Sequence, residues 1–307
     1  MVRIKSSRAL SFIAVALVYI LGTGVGVGVY LLLSPEALPS LSGAGLVLPL
    51  FRLLVADIAA TVFVFLFSLI FKNASVYDPY WSVQPIVIVW AAIIANGGTS
   101  AGGWLIAAAI SFWGVRLTAN WAYTFGGLNH QDWRYTMLCE RTGVFYPLIN
   151  FLGIHLVPTL VVYFCTLPAD LAIRSGALDG RLHPLTVVFT AVSILAAIIQ
   201  LIADVQMQKF RKERSGGFIR TGLWRYSRHP NYLGEILMWW GIALAVVCAA
   251  PSLLYLITGA ILNTLLFTFV SIPMADGRQS RKAGFNEYKA QTRVLLPIPK
   301  FKKEQLT

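Results

Sequence analysis

The feature that most restricts how this chain can fold is a recurrence. Apolar runs approaching the ~20 residues that one helical bilayer crossing needs return near Leu10–Leu33, Leu46–Phe71, Tyr80–Ala95, Gly103–Tyr123, Val144–Leu167, Leu185–Val205, Tyr232–Ala249 and Leu253–Met274. In hydrocarbon a spanning segment must satisfy its own backbone amides, so runs of this length have to be helices. The expected fold is an all-α polytopic transmembrane bundle. The third run is short and the last two meet only at "CAAPS", which leaves the count at seven or eight. No small-residue cleavage site with a hydrophilic domain follows the first run, so it reads as a retained helix and not a signal peptide. A mean hydropathy of +0.69 agrees, as does a 12% share of charged residues where a soluble domain carries about a quarter.

A net charge of +12 would suit nucleic acid, but its placement argues for topology. With eight helices and a cytoplasmic N-terminus, the cytoplasmic segments hold Arg3, Lys5, Arg8, Lys72, Arg134, Arg141, the group from Lys209 to Arg228 and the group from Arg278 to Lys303. Only Arg174 and Arg181 fall in opposite loops, while Arg52 and Arg116 lie within helices. This positive-inside pattern puts both termini in the cytoplasm and leaves room for an anionic ligand on that face. The tail "KFKKEQLT" reads as a lipid-surface end. Cys139, Cys165 and Cys248 match no metal-ligand spacing, and His155 and His183 are isolated, so no metal site is expected. "NAS" at Asn73 fits a glycosylation acceptor but falls on the cytoplasmic side, and is read as chance.

Charges within a bilayer are costly and usually functional. Arg52 and Asp57, on one helix, are expected to neutralise each other or their neighbours, and Asp204 to be a solvated partner of the basic residues beside it. Glu235 differs. Asn231 and Glu235 are four apart and share a helical face, which Trp239 continues beside Tyr232. His229-Pro230 opens that helix, and proline suits a first turn. A helix N-terminus flanked by Arg220, Arg225 and Arg228 favours anions through its free amides and dipole. Arg278, Arg281, Lys282 and Tyr288 recur at near-helical spacing on the same side, as a lipid-surface helix or as a second jaw over a phosphate-bearing ligand. Arg116, Asn120 and Tyr123 share one face of the fourth run, which leads into a loop with His130, Asp132, Arg134 and Tyr135. "NASVYDPYWSVQP" sets Tyr77, Asp78, Tyr80 and Gln84 at a cytoplasmic helix start.

"GLWRYSRHPNYLGE" resembles the C-terminal signature of the steroid 5α-reductase-like membrane proteins, in a superfamily shared with sterol reductases and isoprenylcysteine carboxyl methyltransferases. The similarity runs through "VYDPYWS", "RLTANWA", "HQDWRY" and "FNEYKAQTRVLLPIPKF". It implies seven or more helices and NADPH held in a cytoplasm-facing cavity. Residues 1–71 would be N-terminal transmembrane helices and 72–307 the catalytic domain, in a bacterial inner membrane, or in the endoplasmic reticulum of a eukaryote. Asn231 and Glu235 would contact the nicotinamide end. Arg220, Arg225, Tyr226, Arg228, His229, Tyr232, Arg278, Arg281 and Tyr288 would surround ribose and phosphates, with Arg116, Asn120 and Arg134 also on the cofactor side. The family's carboxylate that polarises a substrate ketone matches Asp78. Its tyrosine falls near Trp113, which has no hydroxyl, so Tyr80 or Tyr123 is expected to substitute. The implied reaction is reduction of the C=C bond of a lipid-soluble enone, a steroid-like 3-oxo-Δ4 substrate or a related lipid, entering from the bilayer. Hydride goes to the β-carbon while a buried acid hydrogen-bonds the developing enolate.

Two other functions fit parts of the sequence. A methyltransferase using S-adenosylmethionine shares the RHP block, but "MADGRQSRK" lacks the paired glutamates usual before its C-terminal tyrosine. A lipid-binding or transport protein would show paired gates and often inverted repeats, and none is evident.

Overall fold

A computed structural model describes residues 7–35, 37, 45, 47–213 and 217–298. Arg3, Lys5, Arg214 and the basic tail from Lys300 lie outside the described residues. Among the described residues the chain is helical, and its one β-like pairing is an isolated bridge between Ser227 and Arg293.

The described residues contain eight segments long and apolar enough to cross a membrane, which among the described residues favours eight over seven, and the chain is an integral membrane protein. The first two are α1 (Arg8–Leu32) and α2 (Val47–Ile70). A 3-10 turn, Ala74–Tyr77, leads into α3 (Tyr80–Ala95), and α4 (Ala101–Thr124) follows. The fifth segment is longer than the sequence suggested. It begins as α5 (Trp133–Thr142), because the Asp132 side chain caps the Arg134 amide. It continues through α6 (Tyr146–Ile149) and a π-helical stretch, Asn150–Leu156, into α7 (Val157–Ser175). Then come α8 (Pro184–Glu213) and α9 (Pro230–Val247). The eighth segment joins α10 (Thr258–Leu266) to α11 (Ile272–Gln279) across a second π-helical stretch. The expected continuous basic helix at the C-terminal side is broken. Gly284, at φ +75°, separates α11 from the short α12 (Phe285–Gln291), so Arg278 and Tyr288 occupy different helices.

Small residues let these helices approach closely, as membrane bundles require when lipid supplies no hydrophobic drive. At Gly241 an added methyl would sit 2.8 Å from the Phe189 carbonyl oxygen of α8, so the α8 and α9 backbones approach closely there. Trp113, Met238, Trp239 and Ile242 fill the fully buried core where α4, α8 and α9 meet.

Polar contacts define two ends. At one, Arg8 donates to the Ala122 and Tyr123 carbonyls at 2.9 and 3.1 Å, Gln208 donates to Asn120, and Arg228 reaches Asp276. This basic end holds the starts of α1 and α9 with the ends of α4, α8 and α11. At the opposite end, Arg52 donates to the Tyr30 carbonyl and Asn96 to the Ile173 carbonyl at 2.6 Å.

Candidate functional site

Helical spacing makes α4 and α8 meet at the basic end through matched polar pairs. Arg116 and Asn120 are one turn apart on α4, and Asp204 and Gln208 one turn apart on α8. Arg116 donates to Asp204 at 2.8 Å and also bonds Gln200, while Gln208 bonds Asn120. Asp204 is thus the ion-pair partner of a buried arginine and not the solvated group expected from its neighbours. A charge pair in a dry interior needs this neutralisation. The network continues onto α9. Gln200 and Trp113 each donate to Glu235 Oε2 at 2.8 Å, and Trp239 donates to Oε1 at 2.9 Å. Glu235 is 4% exposed, and three donors occupy its carboxylate. Trp113, at the position lacking a hydroxyl, supplies an indole N–H to that carboxylate. Asn231, one turn before Glu235, lies against Asp204. Its Oδ1 is buried without a hydrogen-bond partner, as is Arg116 Nε.

Tyr232 ties this network to a second cluster, because it feels the charges of Arg134, Asp132, Asp204 and Asp276 together. Asp132 and Arg134 form an ion pair at 2.8 Å, and the Tyr135 hydroxyl donates to Asp78 at 2.6 Å. Burial alone would push the Asp132 carboxyl up, but Arg134 and, more weakly, Arg278 hold it below the usual carboxylate range. The Arg278 guanidinium stacks 4.4 Å over the Trp133 ring, and Lys282 feels the charges of both Arg278 and Arg211. Arg134 and Arg278 thus lie near Asp132, Arg211 lies near Asp204, and Lys282, whose ammonium donates to the Gly217 carbonyl, lies near Arg278 and Arg211; we call these four cations at the basic end the mouth.

The RHP block does structural work beside this mouth. Arg228 donates to Asp276 Oδ2 at 2.9 Å and to the Thr292 carbonyl at 2.8 Å; His229 Nε2 lies 3.0 Å from the other Asp276 oxygen. Backbone amides of Arg228 and His229 donate to the Arg293 and Val294 carbonyls. Tyr288 turns inward and donates to the Trp224 carbonyl, and burial pushes its hydroxyl up to about 12. His229 stacks on Tyr232 at 5.1 Å, so the latch holds Tyr232 in place. Arg220, Arg225, Tyr226 and Arg281 are exposed, with Arg220 over Phe218 and Arg225 over Tyr226. Tyr123 is 50% exposed beneath Lys212 at the outer edge. The structure therefore gathers Arg116, Asn120, Arg134, Asn231, Tyr232, Glu235 and Arg278 around one mouth, and leaves Tyr123, Arg225, Tyr226 and Arg281 outside it.

A third polar group stands in an apolar cleft of about 230 Å³ between α1, α2 and α3. There the Tyr80 hydroxyl donates to Asp57 Oδ1 at 2.9 Å, and Gln84 donates to Oδ2. Trp81, next to Tyr80, packs both on the core around Trp113 and Trp239 and on the cluster of α1, α2 and α3, so it links these two packed clusters. The expected neutralisation of Arg52 by Asp57 does not occur, since Arg52 bonds the Tyr30 carbonyl and stacks on its ring. A signal for this was present. Positions five apart on an α-helix point about 140° away from each other, so the two charges could not share a face.

The four cations at the mouth, together with an unpartnered amide oxygen deeper in, fit a ligand that carries phosphates at one end and an amide at the other. Beyond the geometry, a family model described as Protein of unknown function (DUF1295) matches residues 64–292. An uncharacterized protein of the fission yeast Schizosaccharomyces pombe is 25% identical over 209 residues, and the match covers 60% of this chain and 60% of that protein's length. No solved structure matches.

Proposed function

Since the chain belongs to the family described as Protein of unknown function (DUF1295), an integral membrane family, we propose that it is an NADPH-dependent reductase of a conjugated C=C bond in a lipid-soluble enone. The observation that carries this reading is the Tyr80–Asp57–Gln84 group in an apolar cleft. A hydroxyl held by a carboxyl in a dry site is suited to hydrogen-bond a carbonyl oxygen as negative charge develops on it. Among the acids expected from sequence, Tyr80 suits this role better than Asp78, whose carboxylate is engaged by Tyr135.

NADPH, when bound, supplies the hydride. Arg134, Arg211, Arg278 and Lys282 would hold its phosphates, and Asn231 its carboxamide. Glu235, through Gln200 and Arg116, keeps the wall behind Asn231 rigid. In this reading a protonated Asp57, held by Gln84, donates to the Tyr80 oxygen during turnover, which turns the one Tyr80 proton from Asp57 to the substrate carbonyl, and the apolar cleft excludes water. The basic end faces the cytoplasm in this reading, by the positive-inside rule.

The test uses the full chain, purified in lipid nanodiscs. Enone-dependent consumption of NADPH and thermal stabilisation by NADPH are expected. Stabilisation by S-adenosylmethionine without any by NADPH would overturn the reading in favour of methyl transfer.

A further inference from the structure

The apolar cleft has a second polar end. Tyr80 and Ala95, at the two ends of α3, both line it, and the helix between them is about 22 Å long at 1.5 Å per residue. The cleft is therefore a groove running along the helices. At the Tyr80 end stand Asp57 and Gln84, and Gln84 Oε1 is buried without a hydrogen-bond partner. At the Ala95 end the lining includes Arg174 of α7. The Asn96–Ile173 hydrogen bond pins the end of α7 against the end of α3 and so sets Arg174 there.

Arg174 is held from one side only. Its Nε donates to both carboxylate oxygens of the fully buried Asp170 at 2.9 Å, and among the described residues its two terminal nitrogens have no hydrogen-bond partner. Asp170 thus neutralises the charge and fixes the guanidinium plane, while the outer N–H donors remain available to the groove. A wholly apolar occupant would strip water from those donors without replacing it, which is unfavourable. An occupant with an acceptor oxygen at that level would satisfy them.

We propose that the groove takes an elongated lipid bearing an oxygen function at each end, a carbonyl at Tyr80 and a hydrogen-bond acceptor at Arg174. This deepens the substrate side of the reductase reading and rests on the groove being the substrate site. Arg174 is then a specificity-determining residue for the tail of the molecule.

The experiment measures binding, without nucleotide, to the full chain in nanodiscs. The probes are unbranched enones of graded chain length, each made with a terminal methyl ketone and, as its match, a terminal alkyl group. At one length the tail ketone is expected to tighten binding by about tenfold or more. The gain is expected to vanish in Asp170→Asn/Arg174→Gln, which removes both charges and so avoids an unpaired buried carboxylate, and to shrink in Arg174→Lys. The proposal is overturned if the tail ketone brings no gain at any length, if the gain survives in the double variant, or if no probe binds. Because NADPH oxidation is not read here, the reductase reading stands or falls on its own assay.

Discussion

At the scale of single residues, the site separates side chains left exposed at the basic end from side chains that grip the protein. Arg228 belongs to the second kind, because Asp276 and the Thr292 carbonyl already use its donors. Breaking a buried pair by removing one partner leaves the other charge uncompensated, so Arg228→Ala should lower unfolding stability by about 3–5 kcal/mol, measured by denaturant titration in detergent. Arg278 is exposed on Trp133, and Arg278→Ala should weaken NADPH binding with little change in that titration. Tyr80→Phe should cut turnover by about 100-fold or more while NADPH still binds, checked by kinetics beside thermal shift. Asp132 yields a pH prediction. Its folded pKa lies below the ordinary value, so its contribution is complete above the unfolded pKa of ~4 and is lost as pH falls through the lower folded pKa. Melting temperatures should therefore drop as pH falls below the ordinary carboxylate range of about 4, and Asp132→Asn should flatten that drop. Sequence spacing made Asn231 and Glu235 legible as one face. It did not reveal that Glu235 would be saturated by Trp113, Gln200 and Trp239, because partners on other helices leave no mark in local periodicity. The spacing of Arg52 and Asp57 already spoke against their pairing.

At the scale of helices, the apolar runs located every span, since hydrocarbon length and backbone satisfaction act on each segment alone. What they missed are the junctions. The fifth span starts at Trp133 because a carboxylate caps it, and the C-terminal helix breaks at Gly284 because the chain there takes a left-handed turn. Capping by one side chain and a reversal at one glycine are single-residue events within otherwise periodic stretches. The helix contacts give a contrast that sequence cannot. Gly241→Ala should destabilise by about 1–3 kcal/mol, because the new methyl meets the Phe189 carbonyl of α8. Gly24→Ala on α1 meets nothing within 4 Å and should be neutral or slightly stabilising. Thermal unfolding of both variants in one detergent compares them directly.

At the scale of the whole molecule, eight crossings place the α1 start and the α8–α9 connection at the same end, with the α7–α8 connection opposite. Cysteines introduced at Arg225 and Asp179, in a background lacking Cys139 and Cys248, should react with a membrane-impermeant thiol reagent from opposite sides of intact vesicles. Labelling of both from one side would require a different threading. The latch at the basic end also bears on biosynthesis. Arg228 and His229 are held by Asp276 and by the carbonyls of Arg293 and Val294, all of which are translated later. A nascent chain halted before Asp276 holds most of its spans but has nothing to fasten the start of α9. The basic end thus cannot be fastened until Asp276 and the segment through Val294 have been made.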